Sequence, residues 1–533
     1  MGEKPLGILG WRTFIRYKLM LFIKIWCSSS PNHDKALPLY PTQYIYNKCI
    51  FRMSENLKES TAKNFFWAAL SNGTQQVVML LVGILLARRL EVSDYAMVAM
   101  LTVFSALAQN LQDSGFATAL CNKRDAEHRD FNAVFWLSIC ISVVVYTTLF
   151  SCAPLIASFN HTPELVLVAR IIFLGFVVTS LNTAHWAYLY KHLMVRERTI
   201  SQVSSSLISS AIGLIAAYAG AGYWSLVAMD LGYKISISIF YWHFSPWRPT
   251  FEFNLRPAFA LFRFSSKILI TNLLTTLNGQ VLQALMGHFF PRKDVVGHYS
   301  QANKWSLMGT NMLSGMITNV VQPVLVTVTD DADRQVRVFR KMLRFTSFLA
   351  FPALWGLGMI APEFIPLTIG DKWNPCVPLL QIICFAAPFL PLGQLFAQML
   401  ISKGKSTRYM LITSTFLLLQ LSVVIALHPY GVDRMLYAIA LLNMAWLFVW
   451  WNGVRGLIRF PLTKVLQDVF PFFCLALLTT LSANYIGNLI PDMFLRLVVK
   501  IIIAAAHYWV WMHILKPVVY LECVAFFMKK IKK

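Results

Sequence analysis

The sequence is poor in charge. Only 13% of its 533 residues are Asp, Glu, Lys or Arg, while 57% are hydrophobic. A soluble domain carries about a quarter charged residues, so this chain cannot cover a water-facing surface with charge. Paired cysteine motifs are also lacking. The nine cysteines, Cys27, Cys49, Cys121, Cys140, Cys152, Cys376, Cys384, Cys474 and Cys523, include no CxxC and lie mostly in apolar runs. They read as small buried apolar residues, which excludes a disulfide framework and a thiolate metal site. No P-loop, HExxH or GxSxG occurs, so ATP as fuel and the commonest hydrolase chemistries fall away. The short alternating strands of a membrane barrel are missing. No loop is long enough to hold an extramembrane domain, the longest lying near 244–264 and 326–341.

Long apolar runs are plentiful. They recur at about 20 residues, the length that crosses a bilayer as helix, and mean hydropathy is +0.57. The chain is therefore expected to be an all-α polytopic membrane protein. Fourteen spans are expected, near 64–87, 95–117, 131–157, 164–189, 200–219, 222–243, 265–288, 297–325, 342–361, 376–400, 408–427, 430–454, 465–486 and 492–515.

The net charge of +23 is unevenly spread. One set of alternate loops carries 21 Lys and Arg, among them Lys123, Arg198, Lys267, Arg340, Lys403 and Lys464. The other set carries six: Arg88, Arg89, Arg292, Lys293, Lys372 and Arg434. The positive-inside rule puts the first set and both termini in the cytoplasm. Excess positive charge is thus a topology signal facing anionic membrane lipids, not a nucleic-acid footprint. Residues 1–52 stand apart as a basic extension. "WRTFIRYKLMLFIKIW" (Trp11–Trp26) is amphipathic but too short to span. It reads either as an interfacial helix or as sequence upstream of a native start at Met53, the second being favoured.

Asn64–Asn110 aligns with Ser265–Asn311 at an offset of 201, placing "LEVSDYAMVAM" on "PRKDVVGHYSQ". Polar residues recur on one face of each leading span: Asn72, Gln75 and Gln76, then Asn272, Thr276, Gln280 and Gln283. Six spans separate the copies, so the repeat is parallel. It divides the chain into 53–243, a linker 244–264, 265–455, and a final 456–533 with two spans and the tail "MKKIKK". Such repeats place substrate between two lobes that rock, although a polar stripe also serves simple helix packing.

"NFFWAALSNGTQQVV" and "ILLARRLEVSDYAMVAMLTVFSALAQNLQDSGFATALCNKRD" resemble the start of polysaccharide flippases. These belong to the multidrug/oligosaccharidyl-lipid/polysaccharide exporter superfamily, and the colanic-acid-exporter-like branch is the look-alike. "APLIASF", "GYWSLVAMDL", "FSPWRP", "VVGHYSQAN" and "IGDKWNPCVPLLQI" extend the resemblance over about 54–515. It implies a MATE-like fold of two six-helix lobes and two further helices, with no cofactor. It also implies flipping of polyprenyl-diphosphate-linked oligosaccharide across the inner membrane for O-antigen, capsule or exopolysaccharide. A polymerase and assembly proteins would be partners. The family often has an arginine in the segment matching "HYSQAN"; Gln301 holds that place here, with Lys304 three residues on.

Such a cargo is polar and anionic in its headgroup, so it needs a wet pocket with positive charge. Ionisable residues within or at the ends of spans are the candidates: Arg88, Arg170, Lys267 and Lys304, alongside the polar residues Asn72, Gln76, Asn272, Thr276 and Gln280. Interfacial snorkelling is the bland alternative for each cation. Asp230 and Lys234 lie at i,i+4 with the acid first, the favourable order for a structural pair; coupling to an ion is the sharper role. His185 is a candidate proton shuttle or an ordinary packed histidine. Competing functions are a drug or cation antiporter, which should line its cavity with acids, and a membrane polymerase or glycosyltransferase using the same lipid carrier, which lacks its large external loop here.

Overall fold

Backbone groups in lipid have no water to bond, and a helix satisfies them within one segment. The computed structural model describes residues 73–113, 120, 123, 126–290, 292–327, 332–458 and 460–531, and every regular element among them is a helix. The extension 1–52, Met53 and Asn72 lie outside the described residues, as does the side chain of Lys267. In the first half of the chain, helix α1 (73–89) is followed by α2 (Val92–Ala99), α3 (Thr102–Asp113), α4 (His128–Phe159), α5 (Leu165–Ser180), α6 (Thr183–Lys191), α7 (Val195–Tyr218) and α8 (Trp224–Phe244). In the second half come α9 (Arg256–Phe289), α10 (Lys293–Thr327), α11 (Ala332–Ile369), α12 (Cys376–Ala386), α13 (Phe389–Ser402), α14 (Ser406–Leu427) and α15 (Val432–Ile458). The chain ends with α16 (Leu462–Gly487), α17 (Met493–Leu515) and α18 (Val518–Ile531).

The described part of each expected span falls on one of these helices or on a broken pair. Among the described residues, nine segments are long and apolar enough to cross a membrane, ten if α5 and α6, which meet at 43°, count as one. Helices α8, α9 and α10 fall short of that measure because polar residues interrupt them: Asp230 and Lys234, Asn272 and Gln280, Gln301 and Lys304. Val92 and Lys293 each start a helix at the offset of the sequence repeat.

The breaks have causes. At the α5–α6 bend, Ser238 Oγ donates to the Val178 carbonyl (3.2 Å) and Trp242 Nε1 to the Leu181 carbonyl (2.8 Å), so the freed carbonyls remain bonded. Pro388 separates α12 from α13. Two expected loops are shorter than the sequence indicated. Helix α11 already begins at Ala332, and α9 at Arg256. Arg and Lys are good helix formers, so a helix can continue past the apolar boundary. On α11 this places Arg340 and Arg344 beside Asp468 of α16, with Arg340 bonded at 2.7 and 2.9 Å and Arg344 at 2.5 Å.

In lipid, helices associate by close packing rather than by escape from water. One core cluster joins the halves at the end sparse in basic residues, with Leu86, Met97 and Phe173 packed in common with Trp305 and Trp373. At the basic end there are two clusters, one per half. Phe131, Phe135 and Trp247 centre the first; Phe339, Phe396 and Phe460 centre the second.

Candidate functional site

Where the halves part, a cavity of about 510 Å³ opens between them. Tyr95 of α2, Ser105 of α3, Phe176 of α5, and Asp230 and Lys234 of α8 line it from the first half, and Ser300 and Lys304 of α10 from the second. The Lys304 ammonium lies 5.9 Å from the Tyr95 ring centroid, a cation–π distance. It also lies beside Gly83 of α1, where a Cβ atom would sit 3.2 Å from it. Among the described residues Lys304 has no carboxylate partner; the ion pair on this cavity is Lys234–Asp230, at 2.6 Å. An unpaired ammonium in a largely apolar wall favours an anionic guest.

The other end of the site is closed by an exchange of helix caps. The last carbonyls of a helix have no partner of their own and accept bonds from basic side chains. Arg88, on α1, donates from Nε to the Thr368 carbonyl (2.6 Å) and from Nη2 to the Leu367 carbonyl (2.7 Å), at the end of α11. The segment after α11 reciprocates. Lys372 Nζ donates to the Leu90 carbonyl (2.6 Å) and Trp373 Nε1 to the Ala87 carbonyl (2.9 Å), at the end of α1. Gly370, at φ 97°, makes the turn that aims these two side chains backwards. Around the latch, Lys293 pairs with Glu164 at 2.9 Å, His288 stacks on Phe159 at 4.1 Å, and Gly297 packs directly on the Val92 backbone.

The residues expected to bind cargo are thus dispersed. Lys304, Asp230 and Lys234 meet at the cavity. Arg88 is committed to carbonyls. Arg170 lies over the Phe150 ring at 4.2 Å, and does not line the cavity. Thr276 accepts a bond from Asn110 (2.7 Å), which ties α9 to α3 across the halves. Gln76 and Asn272 are exposed and Gln280 is half-buried, all away from this cavity. His185 is fully buried in the basic-end cluster, stacked on Trp242 at 4.4 Å, and does not meet the Asp230–Lys234 pair. Sequence reasoning missed another buried pair. Lys500 of α17 bonds Glu363 of α11 at 2.6 Å, both about 2% exposed or less, with Arg496 at 3.9 Å. The signal was present: a lone charge in "MIAPEFIPL" and another in "LVVKIII".

A family model described as polysaccharide biosynthesis protein matches residues 85–378. That stretch runs from the latch residues of α1 to those after α11 and includes the whole cavity lining. The chain is 25% identical over 364 residues to the lipopolysaccharide biosynthesis protein WzxC of Escherichia coli (strain K12), covering 66% of this chain and 71% of that one. Among solved structures, the lipid II flippase MurJ in an inward closed conformation superposes with a TM-score of 0.68 at 12% identity, over 85% of this chain and 100% of that one. An inward-facing multidrug resistance MATE family transporter of the MOP superfamily gives a TM-score of 0.58 at 16% identity, over 72% and 94%. These two structures speak for the fold, and the neighbours so named are a flippase and a transporter, not enzymes. The chain belongs to the polysaccharide biosynthesis protein family and has the fold of these two membrane proteins.

Proposed function

We propose that the protein carries a lipid-linked oligosaccharide across the inner membrane by alternating access, for assembly of an O-antigen, capsule or exopolysaccharide. One observation supports this above the rest: Lys304, an ammonium with no carboxylate partner among the described residues, faces a cavity between halves that are latched at one end. The cargo is taken as a polyprenyl diphosphate. Its anionic headgroup gains a cation in the cavity, and its apolar tail stays in lipid. Fourteen spans, in two six-helix lobes and two further helices, form the scaffold. The basic end and both termini face the cytoplasm, following the bias of Lys and Arg, so cargo enters from there. Lys267, Asn272, Thr276 and Gln280 of α9 are proposed to meet cargo before it reaches Lys304; Asn272, Thr276 and Gln280 do not line the cavity itself. A polymerase and other assembly proteins would receive the product.

A cation antiporter is the second reading, on the strength of the MATE fold. The cavity disfavours it. Its lining carries two lysines against one aspartate, and that aspartate is already paired.

The test is Lys304→Ala at matched protein abundance. A charge-assisted bond to a desolvated phosphate is worth about 1.5–3 kcal/mol, roughly ten- to hundredfold in affinity. We expect cytoplasm-facing lipid-linked glycan to accumulate by a comparable factor, with partial rescue by Lys304→Arg. Wild-type flux in Lys304→Ala would remove Lys304 from the binding site.

A further inference from the structure

We propose that Lys234 is a second cationic ligand for the cargo's phosphate, and that Asp230 is its internal stand-in, occupying Lys234 while the cavity is empty. This rests on the flippase reading and adds the exchange by which the site loads.

The two partners of the pair are held very differently. Lys234 is built in. Its side chain is 16% exposed, and its stem fills a slot against α5 at Gly175. A Cβ at Gly175 would sit 2.7 Å from Lys234 Cδ and 2.9 Å from Nζ, so a side chain there would push the lysine out of this position. The Phe176 ring lies 5.5 Å from the ammonium and adds a cation–π contact. Asp230 is not held in this way. Its side chain is 43% exposed, and both residues line the cavity that also receives Lys304. A fixed cation facing an exposed carboxylate has the form of an anion site whose anion belongs to the protein.

A pair formed only to stabilise α8 would not need this arrangement. Lysine and aspartate at i,i+4 can meet on a helix surface without a glycine on the neighbouring helix. Here the lysine is positioned by packing, and among the described residues the aspartate's bonded partner is the lysine. An incoming phosphate has more acceptor oxygens than a carboxylate and also meets Lys304. It therefore displaces Asp230, whose carboxylate turns into the water of the cavity. When cargo leaves, Asp230 returns, and Lys234 is not left as an uncompensated charge while the empty halves rearrange. No bond is made or broken beyond hydrogen bonds and ion pairs.

The experiment titrates the full-length protein in detergent with geranyl diphosphate, a soluble prenyl diphosphate, followed by calorimetry, with thermal stability measured on every variant. Lys234→Gln is expected to weaken binding about tenfold. Asp230→Asn removes the competitor and is expected to tighten binding several-fold. Asp230→Ser makes the same test if the asparagine variant does not fold. Tighter binding in a folded Asp230 variant supports the stand-in. Equal or weaker binding there, with wild-type binding intact, overturns it and leaves the flippase reading standing. If Lys304→Gln also binds like wild type, Lys304 is lost as a ligand, and the Asp230 variants still decide between stand-in and structural pair. If the wild type does not bind the diphosphate at all, both readings fall.

Discussion

Lys234 enters its slot because position 175 carries no side chain, and that makes Gly175 a sharp point of attack. In Gly175→Ala the new methyl would overlap the lysine stem, at 2.7 Å from Cδ, and the flexible lysine is the group that gives way. The helix itself should gain slightly, since alanine is a better helix former than glycine by about 1 kcal/mol. We therefore expect unchanged or raised thermal stability together with a several-fold loss of geranyl diphosphate affinity. Loss of stability without loss of affinity would show that the slot serves packing only. The charges of "RRLEVSD" have equally specific tasks. Glu91 and Asp94 form a capping box on α2, with Asp94 accepting from the Glu91 amide at 2.9 Å. Arg88 caps α11, and Arg89 lies 5.8 Å from the Tyr218 ring. Three of the four charges in these seven residues thus close helix ends, and the fourth, Arg89, lies over an aromatic ring.

At the scale of elements, α1 and α11 close each other's last turns. Opening the sparse-basic end must break the bonds of Arg88, Lys372 and Trp373, and those groups then bond water instead. Because water replaces them, each exposed bond contributes only about 1 kcal/mol, roughly fivefold in population. In a Cys-free variant with a single cysteine at Ser105, inside the cavity, an impermeant thiol reagent added from that end should react severalfold faster once Arg88→Ala and Lys372→Ala are combined. Unchanged labelling would mean that the surrounding contacts, such as Lys293–Glu164, hold the end shut on their own. A different tie works at the basic end of the second half. Asp468 is fully buried between Arg340 and Arg344 and joins α16 to α11 there, well away from the moving contacts proposed between the halves.

For the molecule as a whole, the arrangement of cores matters most. Among the described residues the halves share a cluster at one end and have separate clusters at the other, the arrangement expected of a cavity loaded from the basic end. If that end is cytoplasmic, single cysteines at His192 and Lys405 should react with an impermeant reagent only in inverted vesicles, and those at His161 and Asn488 in intact cells. Labelling of Lys405 in intact cells would reverse the orientation and with it the direction of loading. The distribution of Lys and Arg predicts this outcome without reference to any contact.

Composition, apolar run length and basic bias were enough to specify a helical membrane protein and to mark where its helices lie, because each of these is a local or summed property of the chain. The acid-first spacing of Asp230 and Lys234 was legible for the same reason: partners four residues apart meet on any helix. What each lone charge does was not legible. Arg88 and Lys304 look alike in sequence, each a cation beside or within an apolar run. Folding brings Arg88 to carbonyls 280 positions away, where it caps a helix end, and leaves Lys304 at the cavity with no carboxylate partner among the described residues. Glu363 and Lys500 are likewise only isolated charges until α11 and α17 pack and bury them as a pair. Spacing along one helix decides which residues share a face. Whether a charge on that face meets an opposite charge, a helix end or an empty cavity depends on which other helix packs there, and that is decided only in the tertiary structure.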